Sequence, residues 1–191
     1  MPNKNLIISF NGQEGAGKST IAQMLAEKLD IPRYYMGQIF RDTAEKKGMT
    51  LADFMSFLAT NPETEKEIDN YMINLPREEN SFVIEGRVAW HLIPQSIKIY
   101  LQVDSKIAAQ RIFQAMSEKN NRGNEDSSLD TLENIEKSIL RRRAKDSERY
   151  LALYNIYQDD EKNYDLIVDT TNLSIPEVLE KILTYINAKS S

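Results

Sequence analysis

Short apolar runs alternate along the chain with longer stretches in which apolar residues recur every three or four positions. Leu6-Ile7-Ile8-Ser9-Phe10 is a nearly unbroken apolar run that ends at a glycine-rich turn, the pattern of a strand buried on both faces. From Ser19 to Leu29 the residues Ile21, Ala22, Leu25, Ala26 and Leu29 fall at helical spacing, and Pro32 closes that helix. Tyr34-Tyr35-Met36 reads as a second short strand, and Gln38 to Lys47 as a helix stopped by Gly48. Thr50 is placed to cap a helix through Ala59. Asn61-Pro62 opens another, to about Leu75, since Asn suits the N-cap and Pro the first helical position. Phe82-Val83-Ile84 is predicted as the third strand. Ile97 to Val103 is the fourth, and its alternating polar residues predict one less covered face. A helix follows from Asp104 to Met116. The polar stretch 120–128 (NNRGNEDSS) contains no apolar residue and predicts a mobile loop. A long helix is expected from about Asp130, with Glu133 completing a capping box, toward Tyr157. Asp165 to Asp169 is the fifth strand, and Ser174 with Glu177 opens a last helix through Ile186.

Five short buried strands alternating with helices predict an α/β fold: a parallel sheet with helices on both faces. The 191 residues suffice for one domain. Two stretches exceed simple alternation: a helical insert over 37–78 and a polar loop with a basic helix over 117–150. Both are candidate covers over a site.

Gly12-Gln13-Glu14-Gly15-Ala16-Gly17-Lys18-Ser19-Thr20 matches G-x-x-x-x-G-K-[ST], preceded by a strand and followed by a helix. Glycines let successive amide N–H groups turn inward toward phosphate oxygens, and the helix offers its positive end to the same anion. Lys18 adds a charge near the β- and γ-phosphates, and Ser19 a hydroxyl for Mg²⁺. Glu14 is an unusual acid in an anion-binding loop and is expected to point to solvent. Glu85, at a strand end, is favoured as the acid that orients the metal's water shell. Asp104 and Asp169 compete for that role, although Asp104 reads more simply as the cap of the next helix.

Arginines stand where the covers are expected: Arg41, Arg87, Arg111 and a cluster around Arg142 and Arg149. Residues 141–149 hold five basic residues against two acidic ones, in a chain of formal charge −5. Arg142, Asp146 and Arg149, spaced by four and three, share one helix face; a simple Arg142–Asp146 pair is the bland alternative. Guanidinium groups match the charge spread over phosphoryl oxygens in a loose transition state.

The P-loop, Tyr35-Met36-Gly37-Gln38-Ile39-Phe40-Arg41, Val83-Ile84-Glu85-Gly86-Arg87 and Arg142…Asp146…Arg149 together resemble the nucleoside monophosphate kinases, and among them cytidylate kinases of the short, archaeal-like type. The resemblance runs over nearly the whole chain. It implies a P-loop NTPase-type core of three layers with an NMP-binding insert (37–78) and a LID (117–150). It implies ATP as phosphoryl donor with Mg²⁺, and CMP or dCMP as acceptor. Residues 12–20 and Arg111 would bind ATP; Gly37, Arg41, Arg87, Arg142 and Asp146 would bind the acceptor. Lys18, Arg142 and Arg149 would act on the transferring phosphate, and Ser19 with Glu85 (through water) would hold the metal. The chain departs from many bacterial relatives at Val88, where they carry Asp, and at Ala115, where relatives often place a second LID arginine for which Arg122 is a candidate substitute.

No cysteine is present, which excludes a thiol nucleophile and Cys-ligated metals. The single His91 lies beside Trp90 and Leu92 and is expected to pack rather than catalyse. A mildly acidic chain without long apolar runs predicts no nucleic-acid or membrane partner. Met1 through Lys4 lacks the features of a signal peptide; a cytoplasmic monomer is expected. Gly37, Gly48 and Gly123 are candidate hinges. The alternatives are a kinase for another small acceptor (AMP, UMP, a nucleoside or a sugar acid), a non-catalytic ATP-binding switch, and an RNA binder using the arginine cluster.

Overall fold

The computed structural model describes residues 5–117 and 131–189. The expected polar loop, with Arg122 and Gly123, and the expected helix start at Asp130 lie outside the described residues. The strands are β1 (Ile7–Gly12), β2 (Arg33–Tyr35), β3 (Phe82–Glu85), β4 (Ile97–Gln102) and β5 (Leu166–Asp169). All pair in parallel, in the order β2-β3-β1-β4-β5. The helices are α1 (Lys18–Leu29), α2 (Met36–Lys46), α3 (Leu51–Thr60), α4 (Pro62–Glu78), α5 (Ala89–Leu92), α6 (Ser105–Ser117), α7 (Leu132–Tyr154) and α8 (Ile175–Lys189). No helix among the described residues is long and apolar enough to cross a membrane.

The sheet divides the apolar residues by the two-residue period of a strand. Ile8, Phe10, Val83, Ile99 and Leu101 point into a core shared with α1, α6, the start of α7 and α8. Ile7, Phe82 and Ile84 point the other way, into a second core that the insert helices α2, α3 and α4 close with Met36, Phe54, Leu58, Ile68 and Met72. The α/β fold with covered faces is therefore as expected, and the insert 37–78 forms three helices that pack on the sheet.

Helix limits differ from expectation for local reasons. Met36 joins α2 rather than the strand, leaving Tyr35 as its extended N-cap. The Thr50 side chain caps α3 as expected, accepting from Asp53 N at 3.1 Å. Asn61 takes the N-cap position of α4 with Pro62 first in the helix, as expected, but its side chain makes no cap bond; its amide donates back to Phe57 O and Thr60 Oγ1. The helix runs past Leu75 through Pro76 to Glu78. The Thr131 side chain caps α7 by accepting from Asn134 N, and with Asn155 in the left-handed region the helix ends at Tyr154, short of Tyr157. The polar face of β4 is covered by the 155–165 connection: Tyr100 Oη donates to Asp159 and Gln102 Nε2 to Glu161. The short helix α5, four residues long, carries no periodicity from which it is predictable.

Where β1 turns into the P-loop, backbones touch. Gly12 has φ +138°, and a Cβ there would lie 2.2 Å from Leu101 O. Gly17 has φ +84°, but a Cβ there would meet nothing within 4 Å. Gly12→Ala is expected to cost about 3 kcal/mol or more in urea unfolding, because backbone cannot yield. Gly17→Ala is expected to cost only about 1–2 kcal/mol of left-handed strain. Equal losses at the two positions would overturn this steric account.

Candidate active site

The P-loop is held open by contacts on its outer side. Gln13 N donates to Leu101 O at 2.9 Å, and Gln13 Oε1 accepts from Val103 N at 2.8 Å, so both ends of one residue are tied to the end of β4. Gly15 is packed against Ala108 of α6, where a Cβ would lie 2.8 Å from backbone. Arg111 donates to Gly15 O, to Thr170 Oγ1, to Thr170 O at 2.8 Å and to Thr171 O, stapling the loop to the end of β5. Ala16 is buried. Gly17 is the N-cap of α1, with no side-chain cap, so the first amides of that helix face the loop. Lys18 Nζ donates to Gly12 O and Gln13 O, both at 2.7 Å. Ser19 is half-buried and Thr20 exposed.

Glu14 does not point to solvent. It accepts from Arg87 Nη2 at 2.7 Å, and its side chain is 13% exposed. The expectation failed because its partner lies 73 residues away on the rim of β3, a distance that local reading does not span. Arg87 Nη1 also lies 2.5 Å from Asp146 Oδ2, an ion-pair contact outside hydrogen-bond direction. One guanidinium thus joins the P-loop to α7. Burial pushes the Arg87 pKa down, but the Glu14 and Asp146 carboxylates outweigh it and the net shift is upward. Burial likewise raises Glu14, yet Arg87 and Lys18 prevail and hold its carboxyl below the usual range. For Asp146 burial wins over Arg87 and Arg149, and its pKa is raised.

On the other side of β3, Arg41 Nη1 donates to Gly37 O at 2.6 Å and Nη2 to Tyr35 Oη at 3.2 Å. The Tyr35 ring stands over Gly37, where a Cβ would meet it at 2.6 Å, and the Arg33 and Arg41 guanidiniums each lie 5.4 Å from its centroid. Met36, by contrast, is core. Glu85 accepts from Arg33 Nε at 2.6 Å and is 3% exposed. Asp104 caps α6, accepting from Lys106 N and Ile107 N, and Asp169 accepts from Thr171 N in a local turn. His91 stacks edge-on with Trp90 at 5.5 Å and packs against Tyr154 at 5.8 Å.

The face of α7 divides. Arg142 is exposed, and Asp146 takes Arg87 rather than pairing with it. Arg149 turns inward: its Nη2 donates to Tyr150 Oη at 2.7 Å and lies 3.5 Å from Glu65 Oε1. Glu65 and Asp69, both on α4, are 3% and 9% exposed. Burial raises both carboxyls, and Asp69 accepts from Tyr154 Oη at 2.6 Å. Sequence reasoning missed these two acids. Their signal was present: they fall at the spacing of Ile68 and Met72, so two charges occupy an apolar helix stripe. Among the described residues no cluster of three or more potential ligands could by itself hold a metal ion.

The family model described as cytidylate kinase matches residues 43–188. The chain belongs to the cytidylate kinase family. It is 33% identical over 178 residues to a cytidylate kinase of Methanobrevibacter smithii, covering 93% of this chain and 96% of that one. It is 36% identical to a cytidylate kinase of Pyrobaculum islandicum, covering 95% and 92%. Among solved structures, shikimate kinase from Acinetobacter baumannii superposes with a TM-score of 0.59 at 17% identity over 97% of this chain and 96% of that one. An uncharacterised protein from Eubacterium ventriosum superposes with 0.68 at 17% identity, covering 95% and 98%; both likenesses show the P-loop kinase fold alone. The family-model match begins beyond the P-loop.

In this cytidylate kinase family member the sign of the Glu14 shift sets a pH dependence. A carboxyl depressed in the folded state contributes stability above its unfolded pKa, near 4.5, and loses it as pH falls through the folded value. Glu14→Gln is therefore expected to lower stability at pH 7 by about 1.5–3 kcal/mol, the range for hydrogen bonds to charged groups. Thermal unfolding of both proteins should show the gap closing below pH 4.5; a gap constant down to pH 3 would refute the assignment.

Proposed function

We propose that the chain transfers the γ-phosphoryl group of ATP to CMP or dCMP, giving CDP or dCDP and ADP. The observation that carries this reading is the single guanidinium of Arg87 held by Glu14 of the P-loop and by Asp146 of α7. It brings the donor-phosphate loop and the arginine-bearing helix to one place, in a chain whose curated relatives are named cytidylate kinases.

An acceptor phosphate oxygen attacks the γ-phosphorus in line, and the bond from that phosphorus to the β–γ bridging oxygen breaks, leaving ADP. The acceptor phosphate is already ionised at neutral pH, so no general base is needed, and the exposed His91 only touches the rings of Trp90 and Tyr154. Catalysis then rests on alignment and on charge placed where charge develops. The P-loop amides of residues 12–20 and Lys18 take the donor phosphates, with Arg111 fixing the loop and flanking the donor nucleotide. Gly37 and Arg41 receive the acceptor phosphate, and Arg87 and Asp146 the acceptor nucleotide. Arg142 and Arg149 approach the transferring group. Mg²⁺ would be held by the Ser19 hydroxyl, the phosphates and water. Glu85, its charge compensated by Arg33, suits orienting that water rather than binding the ion directly. The ion supplies neutralisation of charge on the β- and γ-oxygens. The partners are small nucleotides, and the working form is a cytoplasmic monomer.

Steady-state assays with CMP, dCMP, UMP and AMP test the reaction and base together; a maximal rate with UMP or AMP would displace the CMP reading. Lys18→Ala is expected to lower kcat by about 10²–10³-fold with an unchanged circular dichroism spectrum. Arg41→Ala is expected to raise KM for CMP about tenfold or more, the loss of a charge-assisted phosphate contact, while KM for ATP moves little. Equal weakening of both substrates would contradict the place given to Arg41.

A further inference from the structure

Among the described residues, three charged side chains at the wall between α4 and α7 keep buried atoms without a hydrogen-bond partner: Glu65 Oε2, Asp146 Oδ2, and Arg149 Nε and Nη1. Of these, Glu65 is the one not yet given a role. Glu65 is 3% exposed, its Oε1 lies 3.5 Å from Arg149 Nη2, and its Oε2 is buried with no hydrogen-bond partner. The neighbouring acids are engaged: Asp69 accepts from Tyr154 Oη, and Asp146 contacts Arg87. An orphaned buried carboxylate oxygen costs the desolvation of that group. It is explained when a ligand brings the missing donor. The place is also specific. Glu65 sits on α4 of the insert, beside Arg149 and near enough for its charge to act on Asp146, which is assigned above to the acceptor nucleotide.

We infer that Glu65 selects the acceptor base, its Oε2 accepting a hydrogen bond from the exocyclic amine of an aminopyrimidine. The inference rests on the acceptor site proposed above. An ionised carboxylate only accepts. Cytosine offers N–H donors at C4, whereas uracil offers a carbonyl oxygen there, and two acceptors facing each other in a buried site repel. A site built to bond a polar group rejects the analogue that lacks it far more strongly than an apolar pocket rejects a missing methylene.

The experiment compares kcat/KM for CMP, UMP and the CMP analogue with hydrogen in place of the 4-amino group, in wild type and in Glu65→Gln. In wild type, loss of the amine should lower kcat/KM at least tenfold. In the variant the amide can donate as well as accept, so this penalty should fall below threefold and the CMP-to-UMP preference should drop at least tenfold, with KM for ATP unchanged. Were Glu65 only to position Arg149, kcat would fall equally for all three acceptors and the preference would persist, which would overturn the inference. Should Glu65→Gln not fold, the wild type decides alone: equal rates with CMP and the deamino analogue overturn it, and a tenfold penalty that is retained in Glu85→Gln supports it. A wild type inactive on every nucleoside monophosphate would instead defeat the proposed function.

Discussion

Arg87 holds two acids from opposite ends of the chain, Glu14 in the loop after β1 and Asp146 in the middle of α7. Its own position is dictated by the sheet. β3 lies beside β1 with Glu85 opposite Phe10, so the two residues that follow Glu85 emerge next to the P-loop. A planar fork of fixed geometry suits two carboxylates at once, where a lysine would offer one point charge. Without that cation, Glu14 would place an unpaired charge in a loop whose amides converge on phosphate. With it, the acid becomes a fastener and the loop's inward surface keeps its positive character. The rest of the site inherits its spacing from this bridge, since α7 carries Arg142 and Arg149 on the turns that flank Asp146.

Four cations of the site have protein partners, although Arg149 Nε and Nη1 stay unbonded among the described residues and Arg142 is exposed. Lys18 is held by two loop carbonyls, Arg41 by Gly37 O, Arg87 by Glu14 and Asp146, and Arg149 by Glu65 and Tyr150. Polyanion binding is therefore an exchange of partners. The desolvation cost of gathering these charges has been met on folding, so nucleotide phosphates need only compete with acceptors already in place. This favours ligands with several charges placed correctly over single small anions, because each exchange is close to balanced and only their sum is strongly favourable.

Much of this was legible in the residues. Strands β1, β3 and β5 announced themselves as apolar runs, the P-loop glycines and Lys18 followed from a motif in its expected context, and the insert showed as a stretch too long for simple alternation. Asp104 and Ser174 were recognisable as helix starts because capping is local chemistry. What could not be read was every feature that depends on partners far apart in sequence. Glu14 looked solvent-facing because Arg87 was not yet beside it. The Arg33 partner of Glu85 was not legible because β2, which carries Arg33, pairs with β3 only in the folded sheet. The start of α7 was legible to about a residue, and the Thr131–Asn134 bond fixes its cap.

The acids on α4 show why such misses gather at functional surfaces. Ile68 and Met72 make α4 an insert helix that must bury one face, and a helix concerned with stability alone would place apolar side chains at positions 65 and 69 as well. Buried carboxylates are costly, and their raised pKa values record the cost in the direction burial requires. Replacement of a buried ion pair by apolar residues is often neutral or stabilising, so packing gives no reason to keep Glu65 opposite Arg149. Tyr154 satisfies Asp69, whereas among the described residues no group donates to Glu65 Oε2. The two acids therefore differ in kind despite sharing a stripe: one is finished by the protein, and the other is left with a hydrogen bond to accept at the wall between the insert and α7.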